Sequence, residues 1–397
     1  MNPRLSKLQT YPFQKLTALL EGARPNPDLR PIPLYIGEPK HPTPEFIKRA
    51  LTDNLSGLAA YPATAGTPEL REAIAAWLEK RYGIPPIDPT TQVVPVTGTR
   101  EALFAIAQAV IDPTRPDPVV VCPNPFYQIY EGAALLAGAQ PVFLNQVAAN
   151  DYALDLEQIP PDVWRRTQLI YVCSPGNPTG HVMTLADWKA LFELSDRYGF
   201  VIASDECYSE IHFDEANPPL GGLEAAHKLG RTGYPRLIMF SSLSKRSNVP
   251  GMRSGFVTGD PAILKPYLLY RTYHGCAMSG PVGVASTVAW RDEAHVIENR
   301  RLYREKFDTA ISILKPVLDV SMPDAAFYLW VHTPISDTEF TRRLYESQAV
   351  SVLPGSYLAR ESNGINPGTN RVRIALVSTT EECAESATRI RDFVKTL

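Results

Sequence analysis

The chain has 397 residues, with 39 Lys+Arg against 42 Asp+Glu for a net charge of −3; 44% of residues are hydrophobic and 20% charged. That is enough material for roughly two to three domains with sizeable cores, and it excludes fibrous and disordered classes. The missing basic block removes the electrostatic term behind most nucleic-acid binding, and no apolar run approaches the ~20 residues of a membrane span.

In chain order, short apolar runs at 92–96, 118–122, 168–173, 200–204 and 237–240 read as strands, and helical periods at 100–111, 126–137 and 185–198 fall between them. Alternation of this kind predicts an α/β core, a mostly parallel sheet covered by helices on both faces. After residue 285 the texture changes to a charged helix at 298–314, a strand at 327–331, a helix at 338–347 and a strand at 371–377. We expect a large domain over 46–285 and a smaller α+β domain from 1–45 and 286–397, because residues 34–37 have no strand partner nearby in sequence.

Five cysteines, at 122, 173, 207, 276 and 383, form no CxxC pair, and the seven histidines show no metal-ligand spacing. Neither a disulfide framework nor a metal is expected. Chemistry then falls to Lys, Asp, Tyr, Arg or a bound organic cofactor, in a chain expected to be cytoplasmic. Ligands of an open parallel sheet sit beyond the carboxyl ends of its strands, and polar clusters follow four of the apolar runs. They are Thr97-Gly98-Thr99-Arg100, the stretch from Ser174 through Asn177 to Gly180, Asp205-Glu206-Cys207-Tyr208, and Ser242-Leu243-Ser244-Lys245.

The order and spacing of these clusters, with Arg253 eight residues after Lys245 and Tyr208 three after Asp205, resemble the fold-type I, class I/II aminotransferases that use pyridoxal 5′-phosphate (PLP). The resemblance runs from Gly37-Glu38-Pro39 through Tyr61-x-x-Thr64-x-Gly66 to Arg373. It implies that Lys245 joins the cofactor covalently and, once freed, carries a proton. Asp205 is implied as the partner of the pyridine nitrogen, Tyr208 and Asn177 as donors to the phenolate oxygen, and Tyr127 as the aromatic stacked on the ring. Thr99, Arg100, Ser242 and Arg253 would hold the phosphate. Tyr61 would add a contact from a neighbouring subunit, which implies a homodimer. Arg373, with Arg371 as near neighbour, and the backbone of Gly37 would hold the substrate α-carboxylate.

Two places depart from the family pattern: Thr97-Gly98-Thr99-Arg100 in the phosphate turn, and Arg246-Ser247 where many relatives carry an aromatic residue. Finer details, Gly37-Glu-Pro-Lys40-His-Pro-Thr-Pro44 among them, are similar to succinyldiaminopimelate transaminases. Those exchange an amino group between glutamate and N-succinyl-2-amino-6-oxopimelate, which predicts a second cation for the distal carboxylate; Lys40, Arg100 and Arg246 are the candidates. Other class I/II transaminases (alanine, aspartate or aromatic) and a PLP carbon–sulfur β-lyase on the same scaffold are the alternatives. A cofactor-sensing regulator normally carries a DNA-binding domain, for which the residues before Gly37 show no pattern.

Overall fold

The computed structural model describes residues 1–397. Seven strands form the main sheet: β1 (Val93–Val96), β2 (Val119–Asn124), β3 (Gln140–Asn145), β4 (Thr167–Cys173), β5 (Val201–Asp205), β6 (Leu237–Ser242) and β7 (Gly255–Gly259). Their spatial order is β1-β7-β6-β5-β4-β2-β3, and β7 alone runs against the other six. Alternation along each strand divides the core. Ile170 and Val172 face one layer, with Trp77, Trp188 and Phe192. Leu169 and Tyr171 face the other, with Leu103, Ile106 and Tyr130. A sheet covered on both faces explains why these strands read as unbroken apolar runs.

Local chemistry sets the helix ends. Helix Leu185–Tyr198 opens on a reciprocal Thr184–Asp187 capping box and stops at Gly199, whose φ of 80° suits a residue without a Cβ. Helix Ile129–Ala137 begins three residues later than expected. Before it, the Phe126 N–H donates to Leu358 O, at the end of the 3₁₀ turn Gly355–Leu358.

A second core gathers Ile32 and Leu34 with Tyr303, Phe307, Tyr328 and Ile374. Residues Ile32–Pro33 pair in parallel with Val350–Ser351, and the N–H of Ala375 donates to Leu34 O. Strands Leu353–Pro354, Arg371–Ala375 and Tyr328–His332 make a three-stranded antiparallel sheet, with Arg371–Ala375 in the middle. The expected boundary falls at 285. Helix Gly280–Arg291 runs across it, and its Trp290 packs with Trp77 and Phe256 of the large core, at ring-centroid distances of 4.8 and 5.1 Å. We therefore propose that the large unit extends through Arg291.

Candidate active site

The carboxyl ends of β4, β5 and β6 carry Cys173, Asp205 and Ser242 as their last residues, and in-register pairing sets Cys173 beside Asp205. A cavity of about 710 Å³ opens there. Of the residues expected from sequence, it is lined by Gly37, Thr99, Arg100, Tyr127, Asn177, Asp205, Tyr208, Ser242, Lys245, Arg253 and Arg373. The elements converge because each strand ends at the same sheet edge and hands the chain to a loop or a helix start.

Asp205 is almost fully buried. Its Oδ2 accepts from Tyr130 Oη at 2.7 Å, and its Oδ1 from the Cys207 N–H at 3.3 Å. Burial raises the carboxyl pKa, and these two bonds oppose the rise. Lys245 lies on the one-turn helix Leu243–Arg246 directly after β6. Burial lowers the pKa of its amine; Cys207 and Asp205 resist, and the charges of Arg253 and Arg100 add to the lowering. An amine so placed is poised to lose its proton more readily than a surface lysine.

Helix Thr99–Val110 starts at Gly98, which has φ 91° and supplies no side-chain cap, so the first N–H groups stay free for an anion. A Cβ on Gly98 would stand 2.1 Å from Arg253 Nη2, so only glycine lets that guanidinium lie against the helix start. Glu101 takes the Thr97 N–H at 3.0 Å and the fully buried Arg271 on its other oxygen at 2.5 Å, which fixes the turn. Gly98→Ala should weaken binding of the PLP that the resemblance implies by about tenfold or more, because the steric clash adds to a left-handed strain of roughly 1–2 kcal/mol. Equilibrium dialysis would measure it, and unchanged affinity would contradict this account of the turn.

On the small-core side, Arg373 is buried on strand Arg371–Ala375. It donates to Asn177 Oδ1 at 2.9 Å and Tyr35 O at 2.8 Å, lies over the Tyr328 ring at 4.4 Å, and leaves its Nε without a partner. Arg371 is directed elsewhere, over Tyr152. Gly37 approaches Tyr328 so closely that a Cβ would lie 1.9 Å from its hydroxyl. Tyr208 and Tyr328 hydroxyls meet at 3.1 Å, and burial holds the Tyr208 hydroxyl well above the usual phenol range. The Arg100 Nε–H donates to Tyr127 Oη at 2.8 Å.

Three expected residues lie elsewhere. Arg246 does not reach the cavity: it is buried between Trp290 and Trp77, donates to Ala289 O at 2.8 Å and pairs with Glu293. Consecutive residues of a helical turn point about 100° apart, so Lys245 facing the cavity turns Arg246 away from it. Lys40 is outside the cavity lining, with its ammonium 2.7 Å from Glu38. Tyr61 is fully exposed and outside its own chain's cavity. Conversely, Tyr130, Tyr328, Glu101 and Cys207 were missed. Tyr130 alone left a signal, three residues after Tyr127 and so on the same face of the helix expected over 126–137.

The residues present fit PLP: a buried carboxylate, a half-buried lysine facing the cavity, an uncapped helix start with a guanidinium against it, and an orphaned arginine Nε across the cavity. The model for aminotransferases of class I and II matches residues 30–390. The chain belongs to that family. As a member it is a PLP-dependent aminotransferase, acting on amino-acid and keto-acid substrates. This aminotransferase superposes on an aminotransferase from Neisseria meningitidis with a TM-score of 0.96, at 52% identity, covering all of both chains. It is 32% identical to an LL-diaminopimelate aminotransferase of Nitratidesulfovibrio vulgaris over 98% of this chain and 97% of that one. A Thermus thermophilus protein described as a probable N-succinyldiaminopimelate aminotransferase matches at TM-score 0.85 and 28% identity, over 96% of this chain and all of that one.

Proposed function

We propose that this aminotransferase passes the amino group of glutamate to N-succinyl-2-amino-6-oxopimelate in diaminopimelate and lysine biosynthesis. The observation that carries the reading is the charge of the cavity. Arg253 is placed for a phosphate, which leaves two guanidinium groups, Arg373 and Arg100, for carboxylates at two ends of a substrate. Of the three candidates for the distal carboxylate, only Arg100 lines the cavity.

In the proposed reaction, bound PLP supplies an electron-withdrawing ring in conjugation with the carbon that carries the migrating amino group. Lys245 attaches the cofactor and, once released, takes the proton from the substrate α-carbon at its Nζ and returns one. Asp205 keeps a negative charge at the pyridine nitrogen, with Tyr130 fixing its orientation. Asn177 presents Oδ1 to Arg373, so its amide N–H₂ is the end left to donate to the phenolate oxygen, together with Tyr208. Tyr127 would lie against the ring, and the Thr99 and Arg100 N–H groups, Ser242 and Arg253 would hold the phosphate. Arg373 and the Gly37 backbone orient the α-carboxylate. Tyr61, exposed here beside exposed Leu55 and Leu58, serves the phosphate of a second subunit in a homodimer.

The test is a comparison of kcat/KM. A second carboxylate held by a charged hydrogen bond is worth roughly 1.5–3 kcal/mol, so the succinylated substrate should outperform alanine by about 10- to 100-fold. Parity with alanine or aspartate would end this reading. A second reading is favoured by the Nitratidesulfovibrio relative: the acceptor is the unsuccinylated compound, and a higher kcat/KM for LL-diaminopimelate than for its succinyl derivative would select it.

A further inference from the structure

Behind the cavity, a polar chain joins three segments that each supply the site. Asn299, buried on helix Ala294–Leu314, donates from Nδ2 to Lys245 O at 3.3 Å. Its Oδ1 faces Asn248 Nδ2 at 3.0 Å and His41 Nδ1 at 2.6 Å. The other ring nitrogen of His41, Nε2, bonds to Lys306 Nζ, which also reaches Val377 O at 3.3 Å, two residues beyond strand Arg371–Ala375. Thr43 Oγ1 donates to Asn248 O at 2.9 Å, a second stitch between the same two segments. Neither His41 nor Asn299 lines the cavity.

The donors set the direction of this chain. An ammonium has donors only, so His41 Nε2 must accept from Lys306, and the ring proton sits on Nδ1. That N–H then donates to Asn299 Oδ1, which turns the Asn299 amide N–H₂ toward Lys245 O. Burial, and then the charge of Lys306, lower the His41 pKa to about 4 against the opposing pull of Asn299 and Glu298. Burial lowers Lys306 to about 8, with Cys383 and Glu381 opposing. The neutral imidazole and the ammonium therefore coexist near neutral pH.

We propose that His41 and Asn299 form a positioning clasp that holds the segment carrying Gly37 in register with the main chain of Lys245. The segment matters to substrate because Tyr35 O accepts from Arg373 and Gly37 packs on Tyr328. The clasp rests on the functional reading above, in which Gly37 and Arg373 hold the α-carboxylate. With the clasp broken, that pocket loosens while the reacting groups stay in place, so the loss falls on KM.

The test uses purified holoenzyme. His41→Leu should raise KM for glutamate about tenfold with kcat within about twofold, the loss of one hydrogen-bonded anchor. His41→Asn, whose amide N–H can stand where Nδ1–H stood, should recover most of that. Asn299→Leu should also move the pH midpoint of the cofactor's absorbance by about half a unit or more, because it frees the Lys245 carbonyl. If His41→Leu does not fold, Lys306→Met, which releases the tautomer, should show the KM rise instead. A parent-like KM in the folded variants, an asparagine as damaging as leucine, or an unmoved midpoint in Asn299→Leu overturns the clasp. Absence of a borohydride-trapped cofactor adduct at Lys245 in the parent protein would remove the functional reading and the clasp with it.

Discussion

Lys245→Ala should cost at least about a thousandfold in kcat, since it removes both the covalent attachment point and the proton carrier, and proton transfer alone contributes about 10²–10⁴. The fold should survive. Burial already disfavours the charge on this amine, and its removal enlarges an existing cavity of about 710 Å³ without opening a new one in a packed core. Thermal melting close to that of the parent would establish this. Cofactor should still bind, through the helix start at Thr99 and through Arg253, but borohydride should no longer fix it to the chain. Turnover near the parent rate would contradict the assignment of Lys245.

Which parts of this arrangement could be read from sequence depended on side-chain pattern. Strands β1, β2, β4, β5 and β6 were legible because burial on both faces requires unbroken apolar runs. Strand β7, Gly255–Gly259, was missed since glycines bound it, and the contacts explain them. A Cβ on Gly259 would lie 2.1 Å from Leu237 O, and one on Gly255 would lie 2.6 Å from Ser241 O. Between these glycines only Phe256, Val257 and Thr258 remain to signal a strand, a run too short to stand out. Edge strand β3 was obscured by Pro141 and by polar residues at both ends, as expected where only one neighbour supplies the ladder.

The polar clusters at strand ends were legible because family motifs preserve order along the chain. Contacts between distant segments were not. Tyr328 reaches the cavity from 120 residues beyond Tyr208, and Arg271 supports the phosphate turn from 170 residues beyond Glu101. Arg246, a candidate for the distal carboxylate, follows Lys245 in sequence yet turns away from the cavity to pair with Glu293.

Arg373→Gln is the second large effect, about 10²–10⁴ in kcat/KM for glutamate, because two charge-assisted hydrogen bonds of about 1.5–3 kcal/mol each would be lost. Arg373 is held ready by Asn177 Oδ1, Tyr35 O and the Tyr328 ring, and the partnerless buried Nε marks a donor still awaiting an acceptor. Arg373→Lys should recover little of the loss, since an ammonium keeps the charge but cannot reproduce the planar fork. An amine lacking the α-carboxylate separates binding from a general disturbance: its rate should be low and equal in parent and variant. Arg371→Gln serves as the control, because Arg371 lies over Tyr152, away from the cavity. A collapse of kcat/KM in Arg371→Gln with near-normal kinetics in Arg373→Gln would reverse the assignment. It would place the carboxylate at Arg371, the first residue of this strand.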